Sequence, residues 1–596
     1  MKYFSGDTSH FKKTILIGLV VGIISGFGAL LFFWGLKYGS LFFMDLVIGY
    51  TVPREGQGAS LISGWSPPVN IWLILPVISF GALVSSMLVY AFAPEAEGHG
   101  TDAAIASFHK QKRTRARAII VKALASIMTI STGGSAGREG PIAQISAGFG
   151  SITGDFLKFS EHDRGIAVAT GIGAGIATIF KAPLGGALLA AELLYYRDFE
   201  SEAVVPGFLA SIVGYSIFGY FEGYEPVFAK AEITWNVTQI PFFLVLGVIA
   251  AAFGLLYIKT FYSTRDLFSG YFTRHNIPVV FKPVTGAVII AFLVIGLAYI
   301  SPETMIAGLG GLGAGYGFMQ LSMYNMLPLA VLLLLPFIKI ITTSLTIGSG
   351  GSGGVFAPGL VIGGAVGGAV GLSLHTFLPE IVPLTTVPAF VVVGMISLFG
   401  GISNAPIAVM IMVVEMTGDF SLLVPAMGAV AISYVLTGDD TIFREQVPTK
   451  AQSGAHRGEY DIEILEDIYA KDAMIKKPDI ICMDPSDSAE RVINTMDESY
   501  HTGFPVMKDG KLIGIVTHRD IRENIEKSRE ITVGDIMRTE LFTLTPESSL
   551  EKALSIMITH SIHHLPVVSA DDPEILMGFI TTTDIMRAYT RKMNQK

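Results

Sequence analysis

The stretch STGGSAGREGPIAQ, residues 131–144, puts a charged pair between glycines, directly after the apolar run AIIVKALASIMTI at residues 118–130. After this stretch the chain soon becomes apolar again. Ionisable side chains within membrane-spanning sequence are costly, and they usually have a function. Arg138 and Glu139 therefore mark a candidate site, and the glycines around them constrain how the chain folds.

The composition is that of a membrane protein. Of the 596 residues, 51% are hydrophobic and only 15% are charged, against about 25% charged residues in a soluble domain. Apolar stretches long enough to cross a bilayer recur up to about residue 437. We therefore expect a mainly α-helical, multi-pass protein. The stretches include residues 14–36, 70–93, 240–258, 284–299 and 387–399.

Basic residues indicate the orientation. Lys12 and Lys13 precede the first apolar stretch, and a short loop carries a second basic cluster. The positive-inside rule makes both regions cytoplasmic. We expect a protein of the cell membrane, plasma or inner, with its N-terminus in the cytoplasm. The loop cluster consists of Lys110, Lys112, Arg113, Arg115 and Arg117.

The composition changes abruptly near Pro448, where charged residues become frequent. The change predicts a membrane domain at residues 1–445, a linker at 446–470 and a soluble tail. The single cysteine, Cys482, excludes an intramolecular disulfide, which fits a cytoplasmic tail.

Other classes of function are disfavoured. The sequence has no Ser/His/Asp set or metal cluster, and GSGGSGG at 348–354 lacks the lysine of a phosphate-binding loop. The net charge of −9 indicates no nucleic-acid partner. We expect no enzyme, no metal and no required cofactor.

The membrane domain repeats itself. KALASIMTISTGGSAGREGP (122–141) matches KIITTSLTIGSGGSGGVFAP (339–358) at a constant offset of 217 residues. Further along, APLGGALLAAE (182–192) matches APIAVMIMVVE (405–415) at an offset of 223. Two matches in the same order predict a duplicated unit. Duplicated transporters place their substrate near the bilayer midplane, between the repeats, on interrupted helices.

The glycine-rich segments predict an anion site. In each repeat an apolar helix stops at glycines, and Pro141 or Pro358 suits the first turn of the next helix. Irregular backbone at membrane depth is tolerated only where it lines a cavity or is buried. A helix N-terminus offers unpaired N–H groups and a positive dipole end, which bind anions. Two such ends facing each other can bind an anion and still release it.

Glu139 has two interpretations at such a site. An ionised carboxylate there competes with a permeant anion and leaves when it is protonated or displaced, so Glu139 is a candidate gate. Alternatively, it only stabilises a helix N-terminus, as acidic first-turn residues do. The cost of placing a carboxylate in the membrane favours the gate.

GREGP (137–141), GVFAP (354–358) and the two AP…E segments resemble the signature segments of the CLC family of chloride channels and transporters. The resemblance implies a fold of two inverted repeats with broken helices. It also implies a homodimer with one chloride pathway per subunit. In that pathway Glu139 is the external gate. Backbone N–H groups would hold a central anion at Val355 and Phe356, and an outer anion around Gly137, Arg138, Glu139 and Gly140.

Three positions depart from the family pattern. In GHGTD (98–102), His99 replaces a serine whose hydroxyl faces the central anion in the family. Phe443 stands where family members have a pore tyrosine, so the ring is kept and the hydroxyl donor is lost. Exchangers usually have a second glutamate directly after the one matching Glu192, and here that residue is Leu193. Glu192 and its repeat mate Glu415 favour a structural, hydrogen-bonded role.

His99 also has two interpretations. It lines the pore, where its N–H replaces the lost hydroxyl and its titration near neutral pH makes conduction sensitive to cytoplasmic pH. Alternatively, it is a loop histidine that caps the helix begun by Thr101 and Asp102.

The tail contains a repeat of its own. DAM (472–474) matches DIM (535–537), and GIVTHRDI (514–521) matches GFITTTDI (578–585). The pair resembles tandem cystathionine-β-synthase (CBS) domains, an α+β appendage common in CLC proteins. We assign the first copy to residues 471–529 and the second to 530–596.

In CBS domains a T-x-x-D turn can hold a ribose diol by its carboxylate. The resemblance places this turn at Thr517/Asp520 and at Thr581/Asp584, and it implies binding of ATP, ADP or AMP. Alternatively, these residues only cap helices, and many CBS pairs bind nothing.

The sequence as a whole predicts chloride transport, channel-like or weakly proton-coupled, gated by Glu139 and regulated by the CBS pair. Two alternatives remain. One is a proton-coupled chloride antiporter with a non-standard proton route. The other is a membrane-anchored nucleotide sensor, against which the intact GREGP and GVFAP segments argue.

Overall fold

The computed structural model describes residues 8–456, 465, 468–524 and 531–593. Parts of the expected linker and the end of the first tail copy therefore lie outside the described residues. The chain divides into two compact units, Met1–Ala455 and His456–Lys596, and each unit is described by itself.

The first unit is built from helices. In its first half these are α1 (Thr8–Ser40), α2 (Ala59–Ile62), α3 (Ile74–Phe92), α4 (Thr101–His109), α5 (Ala116–Ser131), α6 (Glu139–Phe156), α7 (Glu161–Phe180), α8 (Pro183–Glu192) and α9 (Val204–Glu222). In its second half they are α10 (Ile240–Arg274), α11 (Phe281–Ala298), α12 (Pro302–Gly310), α13 (Tyr316–Met323), α14 (Leu329–Thr343), α15 (Phe356–Phe377), α16 (Val387–Ile402), α17 (Pro406–Thr417) and α18 (Leu423–Thr437).

Within the described residues, nine helical segments are long and apolar enough to cross a membrane. They differ in how deeply the protein encloses them. In the segment Leu384–Ile402, 94% of the most apolar window is buried, whereas in Val237–Arg274 only 39% is. The outer faces of such peripheral segments are apolar, with Val245 and Val248 both exposed. Apolar outer faces on many long helices are what a bilayer requires, so the protein is a multi-pass membrane protein.

The backbone of the two halves confirms the duplication. Gly133 and Gly350, which are 217 residues apart, have φ angles of 103° and 102°. After each helix the second glycine donates back to a threonine, Gly134 N–H to Thr129 O at 2.9 Å and Gly351 N–H to Thr346 O at 3.0 Å. Equal offsets in sequence thus correspond to equal local conformations.

Glu192 and Glu415 join the halves reciprocally. The Glu192 carboxylate ends α8 and accepts from the N–H groups of Ile407 and Ala408 at 3.2 and 2.6 Å, at the start of α17. The Glu415 carboxylate, in α17, accepts from Leu184 and Gly185 at 3.1 and 2.8 Å, at the start of α8. Each glutamate satisfies unpaired N–H groups of the other repeat's helix. The predicted structural, hydrogen-bonded role is confirmed.

The membrane unit extends beyond residue 445, where the composition change suggests its end. Val447 O accepts from Tyr196 N–H at 3.2 Å, and Asp198 accepts from Lys450 N–H at 2.8 Å. Ser453 Oγ lies 2.8 Å from Nδ1 of His109, the last residue of α4. The segment directly after the last membrane helices is therefore fixed to the helices of the first unit.

The second unit has an α+β arrangement with two similar halves. Among the described residues it has a two-stranded antiparallel sheet, in which Gly503 faces Thr517, and a three-stranded antiparallel sheet, in which His564 faces Thr581. The elements are α19 (Ala470–Ala473), β1 (Ile475–Lys476), α20 (Ala489–Ser499), β2 (Gly503–Lys508), β3 (Lys511–Thr517), α21 (His518–Asn524), α22 (Val533–Ile536), α23 (Leu550–His560), β4 (His564–Val568), β5 (Leu576–Thr581) and α24 (Thr582–Met593).

The two tail copies exchange edges. Ile475 in β1 of the first copy pairs with Phe579 in β5 of the second, while Arg538 of the second copy pairs with Ile515 in β3 of the first. Because each copy completes the other's sheet, the two copies form one folding unit.

Candidate anion site

Two helices begin side by side at the centre of the membrane unit. Gly137 and Gly354 exchange backbone hydrogen bonds, both 2.7 Å long, directly before α6 and α15. The four residues GREG and the matching GVFA therefore start their helices from one shared point. The unpaired N–H groups of both first turns meet there, which is the arrangement expected for binding an anion.

The Glu139 carboxylate lies at this point. The side chain is 1% exposed. Its Oε2 accepts from the N–H of Ala357, in the first turn of α15, at 3.3 Å. Its Oε1 accepts from the hydroxyl of Tyr316, the first residue of α13. A carboxylate that begins one helix therefore occupies the starts of two others, where an anion would bind.

The bonds of Glu139 bear on both of its interpretations. The carboxylate bonds to the starts of α15 and α13, and it also accepts from the N–H of Glu139 itself, in the first turn of α6. The side chain thus contacts its own helix start as well as the starts of two other helices, and its role as a gate stays a prediction.

Glycine is required at two positions by close approach. A Cβ at Gly137 would lie 1.8 Å from Glu139 Oε2, so glycine leaves the space that the carboxylate fills. A Cβ at Gly140 would lie 1.8 Å from the backbone O of His99. The second contact brings the loop before α4 against the start of α6.

The Arg138 guanidinium packs among aromatic rings beside Glu139. Its guanidinium carbon lies 5.5 Å from the ring centroids of Phe33 and Phe180 and 5.3 Å from that of Tyr316. Its Nη1 donates to Glu55 Oε1 at 3.1 Å. The arginine therefore supports the aromatic wall beside Glu139 by cation–π contacts.

A cavity of about 480 Å³ lies beside this aromatic wall. Its lining includes Arg138 and Tyr316, together with Lys37 and Ser40 at the end of α1. Basic groups outnumber acidic ones in the lining, which favours entry of anions. The basic residues are Lys37, Arg54, Arg138 and Lys181, and the acidic ones are Glu55, Glu222 and Glu225.

Val355 and Phe356 stand at the start of α15, as the sequence indicated. Val355 O accepts from the Tyr257 hydroxyl at 3.2 Å. The Phe356 ring packs on Phe399, with centroids 4.2 Å apart, and on Phe180 at 5.5 Å. These contacts fix the backbone whose N–H groups are the candidate central ligands.

His99 is buried between aromatic rings. It is 5% exposed, and its ring centroid lies 5.7 Å from that of Phe443 and 6.2 Å from that of Phe261. Its Nε2 lies 3.0 Å from Asp102 Oδ2. Its Nδ1 is buried and has no hydrogen-bond partner among the described residues. Because the Asp102 carboxylate accepts from Nε2–H, Nδ1 of the neutral ring is an acceptor and has no N–H to donate to an anion. The predicted replacement of the lost hydroxyl by a ring N–H is therefore not seen for the neutral imidazole.

The capping interpretation of His99 is wrong. The residue at the N-cap of α4 is Gly100, which makes no side-chain cap, and the imidazole bonds to the Asp102 carboxylate instead of to a backbone N–H. The helix start is thus left without a side-chain cap.

Leu193 contributes no titratable group. It is 2% exposed, and its backbone O accepts from Gln446 Nε2 at 2.9 Å. Phe443 is also buried, at 2% exposed, and its ring lies 6.2 Å from that of Phe399. Both departures from the family pattern are thus apolar side chains inside the unit.

Two residues at the site were missed from the sequence, Tyr316 and Asp102. A signal for Tyr316 exists, because GHGT (98–101) and GAGY (313–316) form a further repeat match at an offset of 215. In the structure these segments lead into α4 and α13, and Gly100 and Gly315 have φ angles of 84° and 86°. This match is too short to be recognised without the two longer repeat matches, at offsets of 217 and 223 residues.

Both T-x-x-D turns in the tail are closed on themselves. Thr517 N–H and Oγ1 donate to Asp520 Oδ2, at 2.9 and 2.5 Å, and Thr581 donates to Asp584 Oδ2 in the same way, at 3.0 and 2.6 Å. The first carboxylate also accepts from Arg538 Nε at 2.7 Å. The capping geometry is therefore present in both turns, and Asp520 is further engaged by an ion pair.

A small cleft of about 30 Å³ lies beside the second turn. Thr581, Gly503 and His564 line it, and His564 Nε2 lies 3.1 Å from Thr502 Oγ1. Burial, together with the neighbouring His563 and His501, lowers the pKa of His564 to about 4, so this imidazole is neutral at physiological pH. The cleft is far smaller than a nucleotide, so a nucleotide does not fit into it as it stands.

The described residues contain no group of three or more His, Cys, Asp or Glu side chains that could hold a metal ion. The polar groups at the membrane site are backbone N–H groups, hydroxyls, the His99 imidazole and the carboxylates of Glu139 and Asp102. Together the duplicated fold and the opposed helix starts define a membrane protein that binds and moves anions.

The comparisons with known proteins identify the family. Residues 81–438 match the family model for voltage-gated chloride channels, and residues 470–527 and 533–591 match the CBS domain model. The chain belongs to the CLC family and carries two CBS domains at its C-terminal end. It is thus an anion-transporting membrane protein.

Relatives in sequence cover most of the chain. An uncharacterized protein of Methanocaldococcus jannaschii is 30% identical over 386 residues, which are 65% of this chain and 90% of that protein. The H(+)/Cl(−) exchange transporter ClcA of Vibrio cholerae serotype O1 is 28% identical over 458 residues, covering 73% of this chain and 89% of ClcA.

Solved structures share the fold. A slow cyanobacterial Cl−/H+ antiporter superposes with a TM-score of 0.59 at 21% identity, covering 71% of this chain and 94% of that one. A eukaryotic CLC transporter superposes with a TM-score of 0.54 at 17% identity, covering 96% of this chain and 98% of that one. The predicted CLC-type fold with a tandem CBS appendage is confirmed.

Proposed function

We propose that the protein carries chloride across the membrane along a pathway gated by Glu139. The observation that carries this proposal is the buried Glu139 carboxylate, which accepts from Ala357 N–H and the Tyr316 hydroxyl at the starts of α15 and α13. A negative group held where helix N-termini meet is a tethered substitute for the permeant anion. Chloride and the carboxylate compete for the same donors.

Gating follows from this competition. While Glu139 is ionised and bound, it blocks the outer position. When the carboxylate is protonated, or when chloride displaces it, the Ala357 N–H and the Tyr316 hydroxyl become available to the anion. The next position inward is at Val355 and Phe356, with the His99 Nδ1 and the Phe443 ring beside it. The absence of a full positive charge among these ligands keeps binding weak enough for release.

We propose channel-like or weakly proton-coupled transport as the first candidate. A proton that reaches Glu139 from the cytoplasm needs a chain of titratable groups or water within hydrogen-bond reach. Leu193 and Phe443 offer none, although they stand where exchangers have a glutamate and a tyrosine. The absence of a titratable side chain at these two positions supports a pathway in which chloride moves without a fixed number of accompanying protons.

Proton-coupled exchange is the second candidate, and a specific observation favours it. His99 is buried, and its Nε2 lies 3.0 Å from Asp102 Oδ2, whose side chain is 18% exposed, at the start of α4. An imidazole paired with a carboxylate can serve as a proton relay. The curated Vibrio cholerae relative is named as an H(+)/Cl(−) exchange transporter, which also supports this candidate.

The reversal potential of purified protein in liposomes distinguishes the two candidates. Under opposed chloride and proton gradients, the first candidate gives a reversal potential equal to the chloride equilibrium potential. A value displaced toward the proton gradient, together with uphill proton movement, would establish exchange. Absence of any chloride-dependent current or flux would refute both.

We further propose the assembly and setting that the family implies. The protein is a homodimer with one pathway per subunit, in the plasma or inner membrane. Its N-terminus and CBS domains lie in the cytoplasm, as the basic residues Lys12, Lys13 and Lys110 support. The 480 Å³ cavity beside Glu139 lies near the end of α1 remote from Lys12, so we take it as the external vestibule.

Binding of an adenine nucleotide to the tail is a separate proposal, and the structure supports one site rather than two. Thr581 lines the cleft beside His564, whereas Asp520 is already paired with Arg538. A ribose diol competes more easily for Asp584, whose carboxylate is held by the Thr581 turn. We therefore propose one ATP, ADP or AMP per tail, at Asp584.

Equilibrium binding to the full-length protein in detergent tests this proposal. We expect Asp584→Asn to reduce affinity for radiolabelled ATP or AMP by about tenfold or more, because a bidentate carboxylate acceptor for the ribose is lost. The matched variant Asp520→Asn should retain nucleotide binding. Equal losses in both variants, or no binding by the wild-type protein, would contradict the one-site proposal.

A further inference from the structure

Tyr316 is the polar side chain that contacts the Glu139 carboxylate from α13. It is 2% exposed, and its hydroxyl donates to Glu139 Oε1. Its ring lies between Phe228 and Phe180, at centroid distances of 5.9 and 6.1 Å, in edge-to-face contact with both. The guanidinium of Arg138 covers the same ring at 5.3 Å. The phenol therefore has a fixed direction toward Glu139.

The backbone that carries Tyr316 is also fixed. Lys339 is fully buried, and its Nζ donates to Gly313 O at 2.7 Å. Thr342 Oγ1 donates to Gly311 O at 2.9 Å. Both donors belong to α14, so the loop before α13 is tied to the helix that precedes α15. The hydroxyl of Tyr316 and the N–H of Ala357 are thus held in one rigid frame.

The equivalent position in the first repeat lacks this group. GHGT (98–101) matches GAGY (313–316), so the mate of Tyr316 is Thr101. A threonine hydroxyl sits close to its own backbone and cannot extend across a helix start as a phenol does. The two repeats therefore differ in this donor, and the second repeat supplies it to Glu139 of the first.

We infer that Tyr316 is a positioning residue that holds the ionised Glu139 side chain in its blocking position and thereby sets the pH range over which the pathway opens. The inference rests on the proposed gating role of Glu139. A hydroxyl that donates to a carboxylate favours the ionised acceptor over the protonated one. The bond therefore stabilises the closed gate at neutral pH and weakens when Glu139 is protonated.

Chloride flux from liposomes, measured between about pH 4 and about pH 8, tests the inference with the variant Tyr316→Phe. This variant keeps the ring and removes only the hydroxyl. We expect the neutral-pH flux to rise roughly five- to tenfold, toward the acidic value, because a charge-assisted hydrogen bond of the closed state is lost. If Tyr316→Phe does not fold, Tyr316→Leu provides a second variant without the hydroxyl, with the same expected direction.

The matched control is Tyr195→Phe. Tyr195 is another buried tyrosine whose hydroxyl donates to a buried carboxylate, that of Glu200 at 2.9 Å. Its loss should leave the pH profile of the flux unchanged. A wild-type pH profile in Tyr316→Phe, or the same change in Tyr195→Phe, would overturn the inference.

The same substitution made in a Glu139→Ala protein distinguishes a failure of this inference from a failure of the proposed function. In Glu139→Ala, Tyr316→Phe should cause no further change in the pH profile, because the acceptor is already absent. An equal change in both backgrounds would overturn the positioning role and leave the gate intact. If Glu139→Ala itself keeps the wild-type pH profile, the proposed gating by Glu139 fails instead.

Discussion

Glu139→Gln is expected to raise chloride flux at neutral pH by an order of magnitude or more and to remove most of its dependence on external pH. The neutral amide can still accept from the Tyr316 hydroxyl, but it carries no charge with which to compete against chloride. The barrier that opposes entry at neutral pH is therefore lost. Flux from liposomes, measured between about pH 4 and about pH 8, provides the comparison with the wild-type protein.

Glu192→Gln is the matched control for this variant. Glu192 is also a buried glutamate, and its carboxylate reaches the start of α17, where it accepts from Ile407 and Ala408 at 3.2 and 2.6 Å. Its neutralisation should lower stability and leave the pH profile of the flux unchanged. A Glu139→Gln protein that retains the wild-type profile would reduce Glu139 to a structural residue.

His99→Ser has the second largest expected effect. The serine is the residue that CLC proteins commonly have at this position, so chloride flux should persist. The variant removes the ring that pairs with Asp102, so any proton movement that depends on this pair should be lost. If the protein is the channel-like candidate, neither the wild-type protein nor the variant moves protons against their gradient.

The alternative outcome is equally specific. If His99 and Asp102 relay protons, the wild-type protein pumps protons uphill in a chloride gradient. Pumping then disappears in His99→Ser and in Asp102→Asn while chloride flux remains. His109→Gln is the matched control, because His109 is a buried histidine at the other end of α4, bonded to Ser453 and to Leu194 O. Proton pumping that survives His99→Ser would exclude this relay.

Much of the membrane fold could be predicted from the repeated sequence segments. The matches at offsets of 217 and 223 residues identify the duplication, and the structure places Gly137 against Gly354 and Glu192 against the start of α17. Repeat mates reveal such contacts because a twofold relation makes each interaction occur twice. The reciprocal bonds of Glu415 confirm that logic.

Contacts outside the symmetry could not be predicted in this way. Tyr316 and Glu139 are 177 residues apart, and the mate of Tyr316 is a threonine, so no repeated pair points to their bond. Asp102 is three residues from His99, and the sequence suggested a cap there. Its side chain reaches the imidazole because Gly100 adopts φ of 84° and turns the chain between them. Local spacing does not reveal that turn.

In the tail, too, the sequence repeat does not reveal every contact. The two T-x-x-D segments are alike in sequence, and both fold into the same closed turn. They differ because Arg538 reaches Asp520, and Arg538 arrives through the edge pairing with Ile515. The repeat predicts two equivalent sites, whereas the exchange of edges makes them unequal.

The central claim is that the Glu139 carboxylate occupies an anion site. The most direct test is a crystal structure of Glu139→Ala grown in bromide, recorded at the bromine absorption edge. The account predicts an anomalous peak within about 3.5 Å of both the Ala357 backbone N and the Tyr316 hydroxyl oxygen, where the carboxylate lies in the wild-type protein. Bromide peaks elsewhere in the pathway, with none between these two donors, would contradict it.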